Sequence, residues 1–266
     1  MTDHFLTLLR DAIPFVKERR KTSGGFSATP TLPATIEDTY HSMRILDIAK
    51  QYGVTERETC EPGMAGTLQS YLESCHQRVP AGPRTTFQLF WCSKTSGLKF
   101  APDDIEENVL QRMQESFSPE EWYYLARIQQ EVIEDRKLKI ANQRNLDAAL
   151  QRDWRSVDEA WMHMYLSMNY YSLASEIESE LISWFRACQN GDGGFGFYPG
   201  TTSFIENCYY SLRALAALRA KPADPVKARR FLESSQTASG GFGRSLRAAP
   251  FLDSTWYGLA ALAVLG

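Results

Sequence analysis

A Gly-Gly-Phe triplet occurs three times in this sequence, at Gly24, Gly193 and Gly240, and each copy heads the same downstream pattern. Counting from the Phe (Phe26, Phe195, Phe242), position +11 is acidic (Glu37, Glu206, Asp253). Position +13 is small (Thr39, Cys208, Thr255), and position +14 is aromatic (Tyr40, Tyr209, Trp256). Apolar residues follow at helical spacing: Met43 and Leu46, Leu212 and Leu215, Leu259 and Leu262. From Gly193 to Gly240 the period is 47 residues, the length of a helical-hairpin repeat. The spacing predicts a helix, a glycine turn, a loop and a second helix per unit. Paired glycines permit positive φ after the first helix. The prolines Pro30, Pro33, Pro199 and Pro250 keep each loop from continuing as helix.

Gly24 and Gly193 lie 169 residues apart, more than three such periods, so decayed copies are expected between them. VDEAWMHMYL from Val157 keeps the acid (Asp158), small (Ala160) and aromatic (Trp161) columns. SKTSGLKFAPDDIEEN from Ser93 echoes the triplet and runs into a helix. Residues 62–77, 119–137 and 175–188 also read as helical, and no strand-like alternation is sustained. The expectation is a single all-α domain over 1–266, with clear repeats at 24–50, 193–219 and 240–266 and degenerate ones within 93–175.

Composition narrows the function classes. The 266 residues are 43% hydrophobic and 23% charged, and 29 Lys+Arg against 32 Asp+Glu give a net charge of −3. That balance excludes an electrostatic nucleic-acid binder. The short run Arg19-Arg20-Lys21 fits a helix C-terminus. Asp3 and Asp11 interrupt the amphipathic N-terminal segment, so it does not read as a secretory signal. The apolar stretch Tyr257–Leu265 falls well short of the roughly 20 residues of a membrane span. Five cysteines (60, 75, 92, 188, 208) with no CxxC fit reduced thiols. The expectation is a cytoplasmic protein with no transmembrane segment.

The heptapeptides QNGDGGF (Gln189–Phe195) and QTASGGF (Gln236–Phe242) resemble the Gln-x-x-x-Gly-x-aromatic repeats of the squalene–hopene cyclase and protein prenyltransferase β-subunit superfamily. The resemblance implies an α/α toroid, with inner helices that each follow a GGF loop inside an outer ring. At 266 residues the barrel would be barely complete, either short of a helix or closed by a partner. The family implies a second, helical-repeat subunit; a homo-oligomer is the alternative.

The resemblance also implies chemistry. Protein prenyltransferases use zinc held by an Asp-x-Cys pair and a later His. Here Glu206-Asn207-Cys208 takes the pair's place, and Asp253 stands where the His would be. The implied ligands are therefore Glu206, Cys208 and Asp253, with His41 and His163 as candidates for a further one. Read on its own, Cys208 is a small buried residue under the loop. The family holds an isoprenoid diphosphate by a Gly-Arg-x-x-basic loop, matched here by GRSLR with Arg244 and Arg247, and Mg²⁺ would accompany such a substrate. The same loop also reads as plain solvated surface. Tyr209 and Trp256 would contact the isoprenoid. Asp103-Asp104 with Glu106-Glu107 resembles an aspartate-rich Mg²⁺ motif and reads equally as an acidic helix start. The aromatics Trp161, Tyr165, Tyr170, Tyr171 and Trp184 read as core, part of it facing an apolar channel.

Type II terpene cyclases of the superfamily protonate their substrate with the central acid of Asp-x-Asp-Asp-Thr. TIEDT (Thr35–Thr39) resembles that motif, which makes Glu37 and Asp38 candidate acids beside Glu206 and Asp253. An acid recurring at a helix start is also what favourable interaction with the helix dipole predicts. Convergence of Glu37, Glu206 and Asp253 at one barrel mouth would separate the two readings. Three functions follow: a prenyltransferase-like enzyme, a non-catalytic isoprenoid-binding or scaffold toroid, and a cyclase-like enzyme.

Overall fold

The computed structural model describes residues 3–54, 64–77, 82–98, 111, 118–133, 154–170 and 174–266. Its helices are α1 (Asp3–Lys17), α2 (Ile36–Gln51), α3 (Met64–His76), α4 (Pro83–Thr95), α5 (Pro119–Arg127), α6 (Val157–Tyr170), α7 (Ser175–Ala187), α8 (Ile205–Ala217), α9 (Pro225–Glu233) and α10 (Leu252–Leu265). A π-helical segment, Ile128–Ile133, continues α5. Proline at the first turn of α4, α5 and α9 fits where no backbone donor is needed. Thr35 caps α2 by accepting the Asp38 N–H at 3.0 Å. Among the described residues no helix is long and apolar enough to cross a membrane.

α2, α4, α5, α6, α8 and α10 pack in that order, and α10 returns onto α2, so these inner helices form a closed ring. α1 packs against α10 and α2, α3 against α4, α7 against α8, and α9 against α10, which gives an α/α toroid. The ring closes within the chain. The helix that looked missing after α10 is α1, which takes the outer place there.

Three equivalent contacts explain the repeat. The first glycine of each triplet has positive φ (+89° at Gly24, +93° at Gly193, +86° at Gly240). It also rests on the backbone of the next outer helix: a Cβ there would lie 2.1 Å from the Thr67 carbonyl oxygen, 2.2 Å from that of Lys227 and 1.8 Å from that of Asp11. Glycine is therefore required twice over, for conformation and for space. The residue six before each Phe ties the loop to the same helix. The Arg20 guanidinium donates to Thr67 Oγ1, the Gln189 amide to the Asp224 carbonyl, and the Gln236 amide to the Leu8 carbonyl at 2.8 Å. Phe26, Phe195 and Phe242 are buried beneath these turns, each burial contributing about 1.5–3 kcal/mol.

Helix expectations for 62–77, 119–137 and 175–188 correspond to α3, to α5 with its π-helical continuation, and to α7. The degenerate repeat at Val157 is inner helix α6. The acidic pair Asp103-Asp104 with Glu106-Glu107 lies outside the described residues, as do Cys60 and Tyr171.

Candidate functional site

Each inner helix presents an aromatic residue at the same height: Tyr40, Phe87, Tyr123, Trp161, Tyr209 and Trp256, all buried. Tyr40 packs on Phe87 and Trp256 with ring centres 5.8 and 6.0 Å apart, and Trp256 packs on Tyr209 at 4.9 Å. On the far side the Trp161 Nε1–H donates to the Tyr123 hydroxyl at 3.1 Å. Tyr124, Tyr210 and Tyr257 line the same space. The space enclosed by these rings together with His41, Arg84, Gln88 and Arg127 is about 10 Å³, room for one water molecule. His41 is buried there; its pKa falls to about 3 through burial first and then the charges of Arg84 and Arg44. It is neutral at ordinary pH.

One helical turn deeper lies a layer of arginines. Arg127 makes a two-pronged bond to Glu131, with Nε to Oε1 at 2.6 Å and Nη2 to Oε2 at 3.1 Å. Arg44 lies 3.7 Å from the same carboxylate. Burial pushes Glu131 up, but Arg127, then Arg44 and Arg213, outweigh it and hold the carboxyl below its ordinary range. The guanidiniums also lie against the aromatic layer. Arg127 is 4.0 Å from the Phe87 ring centre, Arg44 is 4.8 Å from Trp91, and Arg213 is 4.9 Å from Trp161. The axis thus carries π faces above and positive charge below.

Of the residues expected to form the site, Tyr209 and Trp256 do line the axis. The acids each have a bond of their own. Glu37 accepts from Arg84 at 2.7 Å across to the neighbouring helix α4. Glu206 accepts from Arg244 Nε at 2.6 Å, and Asp253 accepts from the Ser254 N–H at 2.6 Å. Two of the acids link adjacent repeats and the third accepts from the next residue of its own helix, and among the described residues Glu37, Glu206 and Asp253 do not come together as a group that could hold a metal ion. Asp38 bonds the Thr35 hydroxyl at 2.6 Å. Burial raises its pKa, against the lowering effect of those hydrogen bonds, and nearby Asp253 raises it further. Arg244 is committed to Glu206 and stacks 4.0 Å from the Phe204 ring centre. Arg247 sits on the rim loop with φ +66°.

The zinc set does not fit. Cys208 is 1% exposed; burial pushes its thiol up, and the Phe195 backbone N–H reaches its sulfur. Thr39 and Thr255 do the same work in the other repeats, their hydroxyls accepting the N–H of Phe26 and Phe242 at 3.0 and 2.9 Å. The +13 residue is thus small because it brackets the GGF turn. Among the described residues no three His, Cys, Asp or Glu side chains come together to hold a metal ion. His41 faces Trp256 and His163 packs on Trp154, apart from the three expected ligands.

Sequence reasoning passed over Arg44, Arg127, Arg213 and Glu131. The signal was present: an arginine follows the aromatic by four residues in Tyr40/Arg44, Tyr123/Arg127 and Tyr209/Arg213, one turn along the same helix face.

No curated protein matches the chain. The family model described as "Prenyltransferase alpha-alpha toroid domain" matches residues 6–83, 160–250 and 202–266. These segments span α1 to the start of α4 and α6 to α10, the parts that carry the GGF turns and most of the closed ring. The chain belongs to the prenyltransferase alpha-alpha toroid domain family.

Proposed function

We propose that this toroid binds an isoprenoid diphosphate along its axis and transfers or ionises the prenyl group. The observation that carries this reading is the axis itself, with aromatic faces stacked on a layer in which, among the described residues, Arg44, Arg127 and Arg213 surround the Glu131 carboxylate. Aromatic faces suit a polyene chain and the allylic cation left when its C–O bond breaks. Guanidiniums suit the diphosphate oxygens that take up the negative charge. Zinc has no part in this reading, because Cys208 is engaged by a backbone turn; Mg²⁺ would arrive with the diphosphate. The test is a thermal shift with farnesyl and geranylgeranyl diphosphate against the matching alcohols, followed by assay of diphosphate release. Stabilisation by the diphosphates supports the reading, and absence of a shift with every isoprenoid removes it.

A non-catalytic binding or scaffold role is the second reading, favoured by the about 10 Å³ left within the aromatic layer. A prenyl chain needs side chains there to move aside. Binding without diphosphate release selects this reading.

A further inference from the structure

A second cavity lies away from the axis, on the outer helix α1 beside the end of α2. Its volume is about 410 Å³, and Arg10, Ile13, Pro14, Lys17, Glu18 and Val54 line it. Small-molecule pockets run from about 300 to 1,000 Å³. Arg10, Ile13, Pro14 and Lys17 form one stripe of α1, because side chains three and four apart share a helix face. Ile13 and Val54 are buried and make the floor. Val54 is set in place by a glycine turn. Gly53 has φ +78° and open space where a Cβ would go, and the Val54 N–H donates back to the Ala49 carbonyl at 2.9 Å. That helix ending folds an apolar residue back onto its helix. Pro14, inside α1 and exposed, has no N–H, and its ring adds carbon alone to the groove.

The rim of this groove is positive. Arg10 and Lys17 stand seven residues apart on α1, about 10 Å along the helix axis. Glu18 is the one acid of the lining; its side chain is 69% exposed and lies 3.8 Å from Arg19. The Lys17 ammonium has no ion-pair or hydrogen-bond partner among the described residues. In a chain of net charge −3, an unpaired cation over a carbon-lined floor suits a molecule that is apolar along its length and anionic at one end. The tail would cover Ile13, Pro14 and Val54, with the alkyl stem of Arg10 laid beside it, and the head would meet Lys17.

We propose that the groove on α1 binds a small single-chain amphiphile with an anionic head, of the class of a medium-chain fatty acid, its carboxylate on the Lys17 ammonium and its chain over Ile13, Pro14 and Val54. The site lies outside the ring of inner helices and does not depend on the isoprenoid reading. Its occupancy bears on the fold, because Asp11 of the same helix offers the carbonyl on which the Gly240 turn closes the outer ring. A ligand held by folded α1 stabilises that closure by mass action.

The experiment is calorimetric titration of the full chain with decanoate, decanol and decyltrimethylammonium, each below its micelle concentration, with folding checked by circular dichroism. Decanoate should bind one to one and saturably, decanol at least tenfold more weakly, and the cationic amphiphile not at all. Lys17→Glu should weaken decanoate at least tenfold, Lys17→Arg should retain binding, and the exposed Arg230→Glu on α9 should leave it unchanged. Pro14→Glu sets a carboxylate beside Lys17 and replaces a poor helix former with a good one, so it should abolish binding with no loss of stability. Should Lys17→Glu not fold, Pro14→Glu decides. No saturable decanoate binding, equal affinity for decanol, or binding unchanged by Lys17→Glu or Pro14→Glu overturns the site, as does loss through Arg230→Glu. Flotation with phosphatidylcholine–phosphatidylglycerol vesicles that depends on Lys17, without binding of free decanoate, would assign the groove to a membrane surface and overturn it too.

Discussion

The hydroxyl of Thr255 accepts the backbone N–H of Phe242 at 2.9 Å and donates to the Phe251 carbonyl at 2.7 Å. It thereby joins the GGF turn to the first turn of α10. Thr39 repeats both bonds, to Phe26 at 3.0 Å and to Thr35 at 2.6 Å. A fixed interval of 13 residues between Phe and acceptor is the distance along the chain from the turn, around the loop, to the helix start. The pattern that identifies the repeat is therefore the pattern that holds it closed.

Thr255→Val keeps the shape and removes both bonds, leaving the buried Phe242 N–H without an acceptor. A loss of about 1–3 kcal/mol is expected, read as a lower urea midpoint with an unchanged slope. Thr255→Ser, which restores the hydroxyl, should recover most of it. Equal stability of the Val variant would show that the bracket contributes nothing.

Closure of the ring gives a matched pair of glycine variants. Gly240 (φ +86°) rests on the Asp11 carbonyl, whereas Gly53 (φ +78°) has open space where a Cβ would go. Gly53→Ala should cost about 1 kcal/mol, the conformational penalty alone. Gly240→Ala should cost several times more and expose α1 to limited proteolysis, because the loop must lift off that helix. Similar costs for the two would mean that α1 does not complete the outer ring as described.

The fold was legible because its determinants are local and repeated. The glycines, the Phe and the +13 residue each make a contact whose geometry recurs in Gly24, Gly193 and Gly240, so columns emerge from one sequence. The site was less legible for a physical reason. The residues that converge on the axis come from six helices and meet only when the ring closes. Arg127 and Glu131 belong to α5 and its π-helical continuation, where the glycine turn that would have flagged the repeat is missing. Glu206 and Cys208 were conspicuous because they sit in the clearest repeat, and their work there is to tie loops together.

His41 makes stability depend on pH in a defined direction. Its folded pKa, about 3, lies below the unfolded value of 6.5, so the unfolded chain binds the extra proton first as pH falls. The cost is absent above about pH 7 and grows as pH drops through 6.5. It amounts to about 2 kcal/mol between pH 7 and pH 5. His41→Phe should flatten that part of the profile when urea midpoints are compared across the interval. Matching slopes in wild type and variant would show that His41 is not held neutral by its surroundings.

The place of Cys208 yields the last prediction. Threonine occupies its column in the other two clear repeats, and there the hydroxyl receives the Phe N–H that reaches the Cys208 sulfur here. Cys208→Thr should therefore fold with stability within about 1 kcal/mol of the wild type, the hydroxyl gaining a bond and the buried sulfur being replaced by a group of similar size. Treatment with a chelator should leave the melting temperature of both proteins unchanged, since Glu206 is engaged by Arg244 and Asp253 by its own backbone. Zinc content by emission spectroscopy should be substoichiometric in both. Stoichiometric zinc in the wild type that disappears in Cys208→Thr would put the thiolate back into a metal site and require Glu206 to leave Arg244.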